Sequence, residues 1–185
     1  MTGEAPGSHE QVLRFWFEEI EEKLWWSADP AFDALLRERY LDLQQQASRA
    51  ELAPWRSSAR GRLAEIIVLD QFSRNIYRGT REAFATDGMA LVLAQEAVAQ
   101  GVHRELPAQQ AAFLLMPYMH SESRLIHAQA EPLFKQYAPE GNYKFELLHK
   151  VIIDRFGRYP HRNALLGRAS SDEEIEFLKQ PGSRF

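Results

Sequence analysis

The residue least suited to its surroundings is Asp70, a carboxylate within an apolar helical pattern. It follows Leu63 by seven positions and Ile66 by four, so the helical repeat places it on the apolar stripe. Arg74 lies four residues further along the same face. Because an isolated buried charge costs several kcal/mol, we expect Asp70 either to form a buried pair with Arg74 that joins neighbouring helices, or to line a pocket.

A helix end broken by proline carries a second polar group. Pro117 has no N–H to donate, so the helix that contains it is expected to kink or end nearby. His120 and Glu122 stand just beyond it, where side chains can converge with freed backbone groups. Two interpretations stay open. Either His120 and Glu122 bind a ligand, or Ser121 or Ser123 caps the next helix while Glu122 complements its dipole.

The third polar group lies in a late connection between two helices. Gly157 is suited to end one helix and Pro160 to begin the next. The side chains around them are those of an anion site: Arg158, Tyr159, His161, Arg162 and Asn163. Free amides at a helix start, two guanidiniums and an imidazole can together hold an anion. Alternatively, the arginines cap helix carbonyls and pair with Asp70 or Glu122.

These three groups support three functional hypotheses. The preferred one is a non-catalytic binding or adaptor domain with a polar pocket for an anionic small molecule or a peptide carboxylate. Its predicted ligand-binding residues are Asp70, Arg74, Asn75, His120, Glu122, Arg158, His161, Arg162 and Asn163. The second is a hydrolase-type enzyme with His120 or His161 as general base and the arginines holding an anionic group. The third is that the polar segments are purely structural.

Several chemistries are excluded by what the sequence lacks. The 185 residues contain no Cys, which removes disulfides, thiolate zinc sites, iron–sulfur clusters and a Cys nucleophile. No glycine-rich phosphate loop, HExxH pair or GxSxG elbow is present. His120 and Glu122 lie on different helix faces and form a weak metal motif, and His149 on an apolar stripe is interpreted as a core histidine. We therefore predict neither a metal site nor a cofactor.

Length and charge indicate a soluble, cytoplasmic protein. The net charge of −4 argues against a nucleic-acid partner, which would favour a basic excess. The apolar run 111–119 is too short for a membrane span, and no basic segment followed by an apolar one predicts export. The expected organisation is a disordered tail at residues 1–7 and a single domain over 8–185. The oligomeric state is left open.

Helical periodicity extends through most of the chain, and no run of six or more residues shows the polar–apolar alternation of a strand. Start and stop signals predict helices over about residues 8–17, 29–47, 57–74, 86–101, 107–119, 122–137, 143–156 and 171–179. The third of these is apolar around most of its circumference and should be central. The fold class is therefore all-α, with eight or nine helices packed antiparallel across short connections. A superhelix of helix pairs and an irregular bundle both fit.

Ordered motifs along the chain resemble those of a known family. They are Leu69-Asp-Gln-Phe-Ser-Arg-Asn75, Phe84-Ala-x-Asp87, Met116-Pro-Tyr-Met-His-Ser-Glu122, Phe156-Gly-Arg-Tyr-Pro-His-Arg-Asn163 and Leu166-Gly-Arg168, followed by Ser-x-x-Glu. From about Val12 to Leu178 the chain is similar to the bacterial domain-of-unknown-function 924 family. The resemblance implies an α–α superhelix of the tetratricopeptide-repeat-like class and implies no reaction. The chain departs from the family pattern at Ser73, where members tend to carry Pro, and at His127, where they tend to carry Gln.

Overall fold

A computed structural model describes residues 7–185, and within that range the chain folds into helices without any β-strand. The all-α prediction is confirmed, whereas the tetratricopeptide-like superhelix stays a prediction. Residues 1–6 of the predicted tail lie outside the described part of the chain. The α-helices are α1 (His9–Arg14), α2 (Pro30–Ser48), α3 (Ala59–Ile67), α4 (Ser73–Ile76), α5 (Asp87–Ala99), α6 (Ala108–Met119), α7 (Arg124–Tyr137), α8 (Glu140–Phe156) and α9 (Asp172–Phe177).

Most helix starts follow the capping signals in the sequence. The Asp29 side chain accepts the N–H groups of the first turn of α2, and Ser58 accepts the N–H of Gly61 at the start of α3. Ser171 and Glu174 form the predicted capping box of α9. Helix α8 begins three residues before the predicted start at 143, directly after Pro139. Short 3-10 turns occupy Glu22–Trp25, Ala53–Ser57, Arg81–Phe84, Val102–Arg104 and Pro160–Arg162.

The central element is the helix formed by α3 and α4 together, in which every residue from 63 to 73 is buried. It packs against α1, α2, α5 and α6. A π turn, Val68–Phe72, joins its two parts. A π turn contains more residues than an α turn, so the side chains that follow it are rotated relative to an uninterrupted helix. Periodicity alone predicts the buried helix but not this turn.

Side chains hydrogen-bond to three consecutive carbonyls of the π turn. Ser73 Oγ lies 3.4 Å from the carbonyl of Val68, and Thr86 Oγ1 donates to the carbonyl of Leu69 at 2.7 Å. Arg74 Nη1 donates to the carbonyl of Asp70 at 2.9 Å. A widened turn is tolerated in the core because its polar groups have these partners. The turn thereby depends on α5, since Thr86 precedes that helix.

The remaining helices close the core on both sides of α6. Helices α7 and α8, joined by residues 138–139, pack against each other as a helical hairpin, and both contact α6. The segment around Trp25 folds back on the core, because its indole N–H donates to the carbonyl of Trp16 at 2.9 Å and its ring contacts Phe113. No helix within residues 7–185 is long and apolar enough to cross a membrane.

Gly61 yields a stability prediction for the helix that carries the site. A Cβ at Gly61 would lie 1.9 Å from the carbonyl oxygen of Trp55, which is backbone and cannot move aside as a flexible side chain would. We expect Gly61→Ala to lower the free energy of unfolding by about 1–3 kcal/mol. Gly141→Ala in α8 is the matched control, since nothing lies within 4 Å of its added Cβ. Urea denaturation followed by circular dichroism compares the two, and equal midpoints would contradict the prediction.

Candidate functional site

A cavity of about 650 Å³, here called the large cavity, lies where the central helix meets α6, α8 and the segment that connects α8 to α9. Its charged and imidazole lining consists of Arg74, Arg78, Arg162, Arg184, His120, His149 and His161. No Asp or Glu of the described residues lines it. A small cavity of about 390 Å³ adjoins it and shares Phe84, His120 and Arg162 with it. The predicted polar groups therefore converge from distant parts of the chain.

Asp70 is buried behind the large cavity with three side-chain partners. Its Oδ1 lies 2.7 Å from His120 Nδ1 and 3.0 Å from Arg74 Nη1, and its Oδ2 accepts the Gln71 amide at 2.7 Å. Burial by itself raises the pKa of Asp70, but Arg74 and His120 outweigh burial and hold that pKa well below its ordinary value. The carboxylate is ionised. The predicted Asp70–Arg74 pair forms within one helix, and His120 is the partner that joins it to α6.

Asp87 is a second carboxylate of the same network. Arg74 donates to both of its oxygens, at 2.8 and 2.9 Å, in a bidentate pair. Arg162 Nη1 lies 3.6 Å from Asp87 Oδ2. Asp87 also stands in the first turn of α5, where a negative charge is favourable. In the sequence Asp87 has the features of a helix-capping residue, so its part in the ion-pair network with Arg74 is not evident there.

The hydrogen bond to Asp70 sets the tautomer of His120. An ionised carboxylate only accepts, so Nδ1 of His120 carries the proton and Nε2 has its lone pair free. Burial, followed by the nearby Arg74, lowers the pKa of His120, and Asp70 offsets only part of this effect. The ring is therefore neutral at pH 7. Within the described residues Nε2 has no hydrogen-bond partner, and His120 lines both cavities.

Arg162 is a buried cation of the site with few hydrogen-bond partners. Its side chain lies between the rings of Phe84 and Tyr159, 4.7 and 4.6 Å from their centroids, and the residue is 6% exposed. Its Nη2 donates to the carbonyl of His120 at 3.0 Å, while the buried Nε has no partner among the described residues. Burial and the Arg74 charge lower the pKa of Arg162. A buried guanidinium normally engages more acceptors than this.

His149 and His161 add two neutral imidazoles to the large cavity. Nδ1 of His149 donates to the carbonyl of Phe145 at 2.7 Å, which makes it the satisfied core histidine that the stripe predicts. Burial lowers the pKa of His149 to about 3 and that of His161 to about 4. Nδ1 of His161 is buried without a partner. No three acidic or imidazole side chains between residues 7 and 185 are grouped as a metal ion would require.

A buried acid–imidazole pair supports the loop that carries His120. His127 Nδ1 lies 2.7 Å from Glu146 Oε1, and both side chains are fully buried. Nε2 of His127 donates to the carbonyl of Ser121 at 2.9 Å, since that carbonyl can only accept. Burial raises the pKa of Glu146, and His127 offsets part of the rise. Through the hydrogen bond to Ser121, the pair holds the backbone next to His120 in place.

The other predicted site residues have structural partners. Asn75 lines the large cavity and donates to Asp33 at 2.8 Å. Glu122 lines the small cavity and accepts from Arg168 at 2.7 and 2.8 Å and from the N–H of Tyr159 at 2.7 Å. Arg158 and Asn163, like the buried Asp70, lie outside both cavities. Arg158 pairs with Glu174 at 2.7 and 2.8 Å, and Asn163 accepts from Arg168 and donates to Ser170.

These partners correct the alternative pairing considered from the sequence. Arg158 reaches Glu174 rather than Asp70 or Glu122, because the capping box places Glu174 beside it. Arg162 approaches Asp87 instead. Sequence reasoning missed Gln71, Arg184 and the aromatic lining apart from Tyr159. Arg184 stands in none of the motifs, whereas Gln71 belongs to the first family motif. Asp87 could have been identified as a site residue from the sequence, because it belongs to one of the family motifs.

The site and scaffold define an all-α protein with an arginine- and histidine-lined cavity above buried carboxylates. Residues 12–182 match the family model described as bacterial protein of unknown function (DUF924), and the chain belongs to that family. A solved structure of a protein of unknown function from Agrobacterium tumefaciens has the same fold, with a TM-score of 0.87 and 32% identity over 92% of this chain and 96% of that chain. Comparison with curated proteins gives no match. The resemblance predicted from the motifs is confirmed.

The buried network predicts a large stability loss when Asp70 is removed. Asp70→Ala leaves Arg74 and His120 buried without their shared acceptor, so we expect the free energy of unfolding to fall by about 3–5 kcal/mol. Asp70→Asn should cost less, because the amide keeps some hydrogen bonds. The matched control is Asp154→Ala, which breaks an exposed pair with Lys150 and should cost less than about 1 kcal/mol. Urea denaturation measures all three, and similar losses for both alanine variants would refute the prediction.

His149 predicts a pH dependence of stability. Its pKa is about 3 in the folded chain against an ordinary value of 6.5, so between these values the unfolded chain binds a proton that the folded chain does not. The free energy of unfolding therefore falls as the pH decreases through this window. His149→Gln removes the titrating group, so its stability should decline less steeply with acidification. Urea denaturation at neutral and mildly acidic pH tests this, and parallel pH profiles would contradict it.

Proposed function

We propose that this protein binds an anionic small molecule, or the carboxylate of a peptide, in the large cavity. The observation that carries the proposal is the lining itself, with four arginines and no Asp or Glu among the described residues. The carboxylates that pair with Arg74, Asp70 and Asp87, do not line the large cavity, although Asp87 lines the adjoining small one. A volume of about 650 Å³ falls in the range of small-molecule sites.

Arg162 and Arg184 are the arginines with capacity for a ligand. Arg74 is held bidentately by Asp87, and Arg78 is held in the same way by Asp33. Arg162 has one hydrogen bond and a long ion pair, and Arg184 has no ion pair among the described residues. An anion at this wall would supply acceptors that the buried guanidinium of Arg162 lacks.

The neutral imidazoles set a second requirement on the ligand. Nδ1 of His120 and of His149 each carry a proton that is already donated, so both Nε2 atoms can only accept. A ligand that also offers an N–H or O–H group would satisfy them. The cavity thus favours a molecule with an anionic group near Arg162 and a hydrogen-bond donor near His120.

Inorganic phosphate tests the anion site by thermal unfolding. At roughly 100 times its Kd, phosphate should stabilise the wild-type chain by about 2.7 kcal/mol and raise Tm accordingly. Arg162→Gln removes the under-satisfied cation and should abolish the gain, and Arg184→Gln, which needs no change in the core, should reduce it. Arg104→Gln, an exposed arginine outside both cavities, is the control and should keep it. Sodium chloride at equal ionic strength separates binding from screening, and an equal gain in all variants would overturn the proposal.

A second candidate function, general-base hydrolysis, is favoured by the Asp70–His120 pair. The 2.7 Å contact orients the ring, and the free Nε2 at the cavity wall can take a proton from water while the arginines hold an anionic substrate. His161, the other predicted base, has no carboxylate partner, and burial holds its pKa at about 4. His120 is therefore the better base of the two.

Hydrolysis of p-nitrophenyl acetate and p-nitrophenyl phosphate tests the second candidate. If His120 is a general base, the rate should rise with pH to a plateau, and the midpoint of the rise should lie below pH 6.5 because the pKa of His120 is lowered. His120→Gln should remove the rate above background, and Asp70→Asn should reduce it. Rates that are equal in wild type and His120→Gln would leave binding as the function.

A further inference from the structure

Phe185 occupies one end of the large cavity. Its ring stacks on the imidazole of His149, with centroids 3.6 Å apart and planes inclined by 18°. Tyr159 stands edge-on to His149 at 5.8 Å, and His161 lies 6.4 Å from Phe185. His149, Tyr159 and His161 therefore form a three-ring subsite that accommodates a flat aromatic group.

Two rings of this three-ring subsite, Tyr159 and His149, are fixed by hydrogen bonds. Tyr159 is fully buried, and its hydroxyl donates to the carbonyl of Met119 at 2.5 Å. His149 is fixed by its hydrogen bond to Phe145 and is neutral, so it presents an uncharged aromatic face. Neutral rings favour offset stacking with another ring, which adds to the area they bury. The subsite exists without any change in its wall.

Phe185 itself is held more loosely than the wall. It remains 49% exposed, so its stacking buries only part of the ring. The nearest anchor is Ser183, which is buried and whose hydroxyl donates to the carbonyl of Leu178 at 3.2 Å. Gly182, with φ at +75°, turns the chain just before this anchor. Because half of its ring is exposed, Phe185 can leave His149 by a change of side-chain rotamer, while Arg184 and the rest of the fold stay in place.

The subsite adjoins the anion wall. Tyr159 contacts both groups, since one part of its ring packs against His149 and the guanidinium of Arg162 lies 4.6 Å from its centroid. One small molecule can thus place a ring on His149 and an acidic group at Arg162. Trp26 and Phe145, 58% and 54% exposed, extend the apolar surface at the rim.

We infer that the ligand of the large cavity is an aromatic acid, whose ring takes the three-ring subsite, and that Phe185 fills this subsite until the ligand displaces it. The inference rests on the proposed anion binding and adds the chemical class of the ligand. It also makes Phe185 a competitor, so the affinity for an aromatic acid depends on a residue that does not contact its anionic group. Anions without a ring are not subject to this competition.

Phenyl phosphate and inorganic phosphate, measured by calorimetry with the full chain, test the inference. Phenyl phosphate should bind the wild type about threefold to tenfold more tightly than inorganic phosphate, as expected for one stacked ring. Phe185→Ala should tighten phenyl phosphate binding several-fold and leave inorganic phosphate unchanged. His149→Leu should remove the preference for the aryl compound. Leu125→Ala, which removes an exposed apolar side chain outside the cavity, is the control and should change neither affinity.

The outcomes distinguish this inference from the proposal beneath it. If inorganic phosphate binds through Arg162, but phenyl phosphate binds no more tightly and Phe185→Ala alters neither, the aromatic subsite is wrong and the anion site stands. If neither compound binds the wild type or Phe185→Ala, both proposals fail. Phe185→Ala removes only a partly exposed ring, so it keeps the test decisive even where His149→Leu does not fold.

Discussion

The ion pairs of Asp70 are the interaction on which the rest of the site depends. The buried carboxylate of Asp70 accepts hydrogen bonds from Nδ1 of His120, from Arg74 and from the side-chain amide of Gln71. Through Arg74 the same charge reaches Asp87 and so fixes the start of α5 against the central helix. Desolvating a carboxylate is costly, and only this full set of donors offsets the cost. The π turn depends on the same residues, because Arg74 also donates a hydrogen bond to the carbonyl of Asp70.

The network also explains how an acidic chain presents a cationic cavity. The net charge is −4, yet Arg74 and Arg78 line the large cavity, and each is paired with a carboxylate that does not line it. Such pairing keeps the arginines charged and oriented while it leaves donors at the surface. An anion entering the large cavity would meet the arginines of its wall, while Asp70 is buried and Asp87 lines the adjoining small cavity.

Signals that are local in the sequence predict much of the fold and the centre of the site. Contacts between residues that are distant in the sequence could not be predicted. The position of Asp70 on an apolar stripe with Arg74 four residues later was sufficient to predict their buried pair, because both lie in one helix. The partners of Arg158 and Arg162 could not be predicted, since they depend on Glu174 and Asp87, which only tertiary packing brings close. The π turn was equally hidden, because its carbonyls find their donors partly on another element, at Thr86.

Two arginines of a single motif, Arg158 and Arg162, differ in how fully their hydrogen-bond donors are satisfied. Arg158 makes three hydrogen bonds, to both oxygens of Glu174 and to the carbonyl of Ala169, and has no need of another acceptor. Arg162, four residues later, is more buried and yet has one hydrogen bond. Folding alone would favour satisfying the more buried cation first, because its unmet donors cost more. The reversed order supports the anion binding proposed for this cavity, since a ligand would bring the acceptors that are missing at Arg162.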